Sequence, residues 1–194
     1  MATRQGGTRA SAKTRPAEAE FLEDPMFHQR YRFSTKGDVL ITEIWVQPGG
    51  GVDVDHVHPH QEERLEVMEG ETFVYRIDGK ERRMGPGDKA VVPPGVKHAF
   101  RNDAQTVAYL RFESEPPMEI QESVEVAVAM THAESFTASG MPKDPSAMLA
   151  AAEYAERYKD TVQLLSIPKI VQQFVNPPLA WLSRRRGVSW RAPS

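Results

Sequence analysis

Two histidines separated by one residue, His56 and His58, precede an acid-rich turn, and a third histidine, His98, follows later in the chain. In an extended strand, residues two apart project from the same face, so these imidazoles are neighbouring nitrogen ligands without backbone contortion. Pro59 interrupts strand pairing, and a turn through His60–Glu62 leads into a strand over Glu63–Glu69. Parity selects the inward carboxylate of that strand. Glu63 shares its face with the apolar Leu65 and Val67, whereas Glu62 lies with Arg64 and Glu66. A carboxylate on a buried face needs a partner, and a bound cation is an effective one. His98 lies just past the Pro93–Pro94–Gly95 turn and starts another strand, with Phe100 on its own face. Three neutral imidazoles and a carboxylate suit one first-row divalent ion, and on an octahedral metal they leave two positions for water, oxygen or a chelating substrate. His60 stays open between three roles. It replaces His58 as a ligand if the strand continues through Pro59, it backs a ligand or faces the substrate, or it is a loop histidine at the mouth of the site.

The chain must supply elements that bring these residues together. Its 194 residues suffice for one domain with a real core and a small appended element. Forty per cent apolar and 26 per cent charged residues are ordinary for a soluble globular protein, and a net charge of −3 gives no attraction to nucleic acid or anionic lipid. With no cysteine, disulfides, thiolate metal sites, iron–sulfur clusters and cysteine nucleophiles are excluded. No apolar run approaches the roughly 18 residues that cross a bilayer. The first residues, MATRQGGTRASAKTRP, are basic and small but lack the apolar centre of a secretory signal, so residues 1–18 are expected to be a disordered arm and residence cytoplasmic.

From Gln29 to Met130 the sequence reads as short strands with Gly and Pro punctuation, the pattern of a sandwich or barrel. Asp38–Val46 is rich in β-branched and aromatic residues and ends at Pro48 and Gly49–Gly51. Asp78–Gly79 between two alternating segments is a tight hairpin signal. Further strands are expected at Lys89–Val92, Ala99–Arg101, Thr106–Glu113 and Glu119–Met130, which sets a β-barrel over residues 19–130. Tyr109 and Arg111 share one face of a late strand, and their parity leaves both the cavity and the outer surface open. His28 and His132 stand apart from the other histidines and read as ordinary ones. Residues 131–194 change character. Pro145–Tyr158 reads as a helix with Ser146 as its N-cap, and Ile167, Ile170, Val171, Phe174 and Val175 form an apolar stripe at helical spacing. Pro177 and Pro178 end one helix and start another through Leu179–Ser183. This extension is expected to cover the barrel or a dimer partner and to lid the mouth, while Arg184–Arg186 near Trp181 form a solvated face.

Gly50-x5-His56-x-His58-x4-Glu63-x6-Gly70 resembles the first conserved motif of the cupin superfamily, and Gly87-x5-Pro93-x-Gly95-x2-His98-x3-Asn102 resembles the second. Ten fixed positions in order are far more specific than one His-x-His. The resemblance implies a mainly β fold, a single cupin-type (double-stranded β-helix, jelly-roll) barrel of two antiparallel sheets with the metal near one mouth, followed here by the helical extension. It implies a homodimer and one transition-metal ion on His56, His58, Glu63 and His98. Iron or manganese is preferred where a redox step is needed, with nickel, copper or zinc the other ions such proteins hold. Glu63 and His58 are the expected catalytic groups, Glu63 as the carboxylate that shifts or accepts a proton. Gly50, Gly70, Gly87, Pro93, Gly95 and Asn102 are expected to shape turns. The first functional expectation is a dioxygenase-like oxidoreductase acting on a small organic molecule. The others are a metal-dependent isomerase or lyase on a sugar or hydroxy-carbonyl compound, and a non-catalytic ligand-binding protein. No partner other than the small molecule and a second copy is expected, neither nucleic acid nor membrane.

Overall fold

The computed structural model describes residues 21–132, 135–137, 141–165 and 170–188. The expected arm over residues 1–18, and Ile167 of the apolar stripe, lie outside these. Among the described residues, ten strands precede the first helix: β1 (Leu22–Asp24), β2 (Gln29–Lys36), β3 (Val39–Val46), β4 (His56–Val57), β5 (Glu62–Glu69), β6 (Phe73–Ile77), β7 (Lys80–Met84), β8 (Lys89–Val92), β9 (His98–Arg101) and β10 (Ala108–Glu115). After them come α1 (Ile120–His132), α2 (Pro145–Arg157), a short strand β11 (Gln163–Leu164), one π-helical turn (Val171–Val175) and α3 (Asn176–Arg186). The strands form two antiparallel sheets, ordered β1-β2-β3-β10-β5-β8 and β11-β4-β9-β6-β7. The mainly β jelly-roll with C-terminal helices expected from the sequence is the fold observed.

Period-two alternation decides what each strand buries. In β3, β5 and β10 every second side chain is buried. Ile44, Val46, Leu65, Val67, Leu110 and Phe112 thus meet Phe73, Tyr75 and Phe100 of the other sheet in one apolar core. The Asp78–Gly79 hairpin joins Ile77 to Lys80, with both turn residues at positive φ (48° and 77°), the mirror-image turn whose twist matches the strands. Gly51 lies at φ 118°, and a Cβ there would stand 2.6 Å from the Phe100 carbonyl oxygen, so only glycine lets this loop pass the end of β9.

Asn102 clamps the same corner. Its buried amide donates to the carbonyls of Val46 (2.9 Å) and Thr106 (2.8 Å) and accepts from the Ala104 N–H (3.1 Å). Its backbone N–H donates to Gly50.

The strand expected over Glu119–Met130 is a helix instead. The last strand before the helices ends at Glu115, and the helical part begins at Ile120, not at residue 131. The alternation that suggested a strand has a specific cause. Val124 and Val128 pack on the core between the sheets, while Val126 and Met130 pack on the cluster holding Ala150 and Tyr158 of the extension. Each pair is spaced i, i+4, and two such stripes offset by two residues read as period two.

The N-cap of α2 is Asp144, whose Oδ1 accepts from the Ala147 N–H at 2.9 Å, rather than Ser146. Pro145 already fits the first helical turn, which places the cap one residue before it. The apolar stripe does not face the core: Ile170 and Phe174 are 67% and 71% exposed.

Asn102→Ala strands two buried carbonyls and one N–H, and should cost about 3 kcal/mol of folding stability. Urea unfolding at unchanged m-value checks this, and a loss below about 1 kcal/mol would show that the clamp is dispensable.

Candidate metal centre

Each site residue has a different support. β4 is only two residues long, and its one pairing with β9 puts His56 directly opposite His98. The loop before it is held by Arg76, which donates to Asp55 at 2.9 Å and to Asp53 at 2.8 Å. Those two hydrogen bonds, Asp55 first, raise the guanidinium pKa further. His58 follows β4, and its carbonyl accepts from the Gly95 N–H of the Pro93–Gly95 turn. Glu63 comes from the opposite sheet, on the same inward face of β5 as Leu65 and Val67. The centre therefore lies between the two sheets.

Ligating atoms of His56, His58 and His98 lie within 4.8 Å of one another, and all three residues are buried. Which nitrogen each ring presents follows from its other one. Nδ1 of His56 meets the Val54 carbonyl (2.9 Å), Nδ1 of His98 the Val96 carbonyl (3.1 Å) and Nδ1 of His58 the Thr161 carbonyl (2.8 Å). A carbonyl has no proton to give, so Nδ1 carries it in each case and a neutral ring keeps a bare lone pair on Nε2.

Two of these lone pairs face Glu63. Nε2 of His98 is 3.4 Å from Oε1, and Nε2 of His58 is 3.5 Å from Oε2. Between a neutral imidazole bearing its proton on Nδ1 and a carboxylate, neither contact is a hydrogen bond, because both facing atoms are acceptors. Nε2 of His98 is buried with no hydrogen-bond partner. Burial and neighbouring imidazoles disfavour a proton on His56 or His98. Burial first, then the imidazoles of His98 and His58, pull His56 down to about 3, and burial and His58 pull His98 down to about 4. Electron-rich atoms held together in a dry place need a cation among them. Two donors each ~2.1 Å from one ion at ordinary coordination angles lie roughly 3.0–3.4 Å apart, close to the separations found. The residues fit a divalent metal.

Residues 42–111 match the family model described as the cupin domain, a stretch that holds all four of these residues. Over that stretch the chain is a cupin domain. Comparison with curated proteins gives no match. Among solved structures, the cupin is similar to an RmlC-like cupin from Shewanella frigidimarina (23% identity, 58% of this chain and 96% of that one, TM-score 0.48). It is also similar to a sugar phosphate isomerase of the cupin superfamily from Silicibacter pomeroyi (25% identity, 46% and 60%, TM-score 0.43). A third is KdgF from a Halomonas species (19% identity, 54% and 92%, TM-score 0.47).

The structure places the remaining sequence candidates as follows. His60 is exposed, with Nε2 3.9 Å from Asp160, and stands outside the trio of buried imidazoles. Tyr109 and Arg111 take the outer option. Tyr109 stacks on Trp45 (4.6 Å) and its hydroxyl donates to Glu43, while Arg111 pairs with Glu113.

Two groups that touch the centre, Tyr75 and Thr161, and the buried Gln61 near Glu63 in sequence, escaped the sequence reading. Tyr75, fully buried, donates its hydroxyl to Glu63 Oε1 at 2.9 Å; inward parity with Phe73 in β6 was the available signal. Burial and then the Glu63 charge hold this phenol well above its usual pKa, so it stays a donor. Gln61 is 1% exposed with both amide atoms unpartnered, and it is two residues from Glu63. Thr161 contributes only its backbone carbonyl.

The depressed values of His56 and His98 fix a sign for stability. Their folded pKa values lie below that of an unfolded histidine, near 6.5, so the unfolded chain binds the extra protons. Their contribution is fully present above pH 6.5 and is lost as pH falls toward about 4. Metal-free protein should lose up to about 1.4 kcal/mol per pH unit for each ring in that window. Urea titrations of chelator-treated protein at pH 7.5, 6.0 and 5.0 measure it, and level stability across that range would contradict the buried neutral rings.

Proposed function

We propose that this cupin is a metal-dependent oxidoreductase of the dioxygenase type, acting on a small organic molecule held between its sheets. The ion would be held by His56, His58, Glu63 and His98. The observation that carries the reading is the meeting of two bare imidazole nitrogens with a carboxylate that cannot hydrogen-bond to them. When bound, such an ion supplies Lewis-acid polarisation and, for iron or manganese, a change of valence.

The chain's own residues divide the remaining work. Tyr75 fixes Glu63 through Oε1, which leaves Oε2 to accept a proton from an acidic substrate hydroxyl. His58 lies beside that oxygen, with Nε2 3.5 Å from Oε2. Gln61, with an uncommitted donor and acceptor, is the group suited to hydrogen-bond and orient the substrate. Phe73, Phe100 and Phe112 around Tyr75 exclude water from the interior.

A second reading, a metal-dependent isomerase or lyase on a sugar or hydroxy-carbonyl compound, is favoured by the Glu63–Tyr75 pair. A carboxylate held in place by a phenol that keeps its proton can take a proton from a substrate and return it with no redox step.

Elemental analysis of protein purified without an affinity tag, joined to oxygen-uptake assays over a panel of small hydroxylated compounds, separates the readings. Iron or manganese with substrate-dependent oxygen uptake supports the oxidoreductase. Zinc with turnover in the absence of oxygen supports the isomerase or lyase, and stoichiometric ligand binding without turnover leaves a binding protein. His98→Ala should lower metal affinity at least about 100-fold. Gln61→Leu should keep its metal and raise KM roughly tenfold with a smaller change in kcat, since one oriented hydrogen bond is lost. Retention of metal by the first variant, or unchanged kinetics in the second, removes the corresponding role.

A further inference from the structure

We infer that the C-terminal extension completes the metal centre: the carbonyl of Thr161, outside the matched cupin stretch, is the group that orients His58. The inference rests on the metal-binding reading above and assigns it a positioning residue.

The three imidazoles are anchored in two different ways. His56 and His98 each donate Nδ1–H to a carbonyl two residues earlier, Val54 and Val96, so their supports come with their own strands. His58 donates to a carbonyl 103 residues away in sequence. The matched stretch ends at residue 111, so the cupin domain by itself does not contain the Thr161 acceptor.

The extension is held in register for this purpose at several points. The turn that ends α2 folds back, with the N–H groups of Thr161 and Val162 both donating to the Tyr158 carbonyl at 2.8 Å. Tyr158 and Thr161 are each 1% exposed, so this turn is buried and its carbonyl meets His58 away from water. The next residues form β11, which pairs antiparallel with β4, Gln163 opposite Val57 and Leu164 opposite His56. The Leu165 N–H donates to the Asp55 carbonyl at 2.9 Å, one residue before His56. Residues 161–165 thus grip the whole His56–His58 segment along the edge of its sheet.

The consequence is chemical. An Nδ1–H to carbonyl bond fixes both the tautomer and the ring plane, and aims Nε2 at the centre. Without Thr161 the His58 ring would choose between tautomers and rotamers, and each wrong choice removes one donor from the ion.

The test inserts one glycine between Asp160 and Thr161 in the full-length chain, which displaces the carbonyl by one residue and leaves residues 42–111 unchanged. Calorimetric titration with Mn2+ and with Zn2+ should show a 10- to 100-fold rise in Kd, with far-UV circular dichroism unchanged. His60→Ala, which removes only the exposed contact to Asp160, should leave Kd within twofold. In the metal-free protein, nitrogen-15 spectra of the imidazoles should show His58 protonated at Nδ1 with a slowly exchanging proton, and the insertion should abolish that signature. Equal Kd values for wild type and insertion, or no protected Nδ1 proton on His58 in the wild type, overturns the inference. If the insertion variant does not fold, Leu165→Pro decides. It removes one N–H donated to Asp55, and at least a threefold rise in Kd is expected, with no rise overturning the inference. Failure of the wild type to bind either ion would sink the metal reading itself, while the spectra would still report on the Thr161 contact.

Discussion

Three imidazoles and a carboxylate, buried together with their ligating atoms toward one another, impose the strictest demand in this fold. Such an arrangement is unfavourable unless a cation joins it, and it is useful only if the lone pairs stay aimed while the cation is absent. Aiming requires that each ring deposit its remaining proton on a fixed acceptor. Carbonyls of Val54, Val96 and Thr161 serve that need, and Tyr75 does the equivalent for Glu63 by donating to one oxygen. The geometry of the centre is therefore a property of backbone placement as much as of side-chain identity.

Backbone placement in turn depends on the corner where three segments cross. Gly50 and Gly51 pass so close to the Phe27–His28 and Phe100–Arg101 backbones that side chains would collide with them. Asn102 joins the end of β3 to the turn before β10, and its backbone also meets Gly49 and Gly50. This corner connects β3 to the loop that delivers His56, and it borders β9, which delivers His98. Rigid side-chain satisfaction at Asn102 and apolar packing between the sheets are thus two parts of one positioning device.

Much of this was legible in the sequence, for identifiable reasons. The inward direction of Glu63 followed from period-two alternation anchored by Leu65 and Val67, a pattern with only two possible phases. Tyr109 and Arg111 had no such anchor, and their outward direction emerged only with the packing of Tyr109 on Trp45. Helix α1 was misread because it is buried on two sides, and its two apolar stripes interleave into a strand-like alternation. Ser146 was a plausible cap by type, but the tertiary position of Pro145 gave the role to Asp144. The Thr161 carbonyl had no signal whatever, since every residue possesses one. Side-chain chemistry is written in residue types, whereas backbone chemistry is decided by where the chain goes.

The extension illustrates how an edge becomes part of a functional site. β4 contributes two residues to its sheet and one residue pair to β9, too little pairing to hold a ligand-bearing segment against thermal motion. An unpaired edge is also a template for unwanted strand addition. Pairing β11 with the free side of β4 answers both problems, because the same hydrogen bonds that cover the edge stiffen the segment carrying His56. The turn preceding β11 then lies where a carbonyl can reach His58. What holds β11 there is the packing of α1 between the sheets and α2, with Val126 and Met130 against Ala150 and Tyr158. The apolar stripe that disguised α1 as a strand is thus the same feature that ties the extension, and with it the third imidazole, to the sheets.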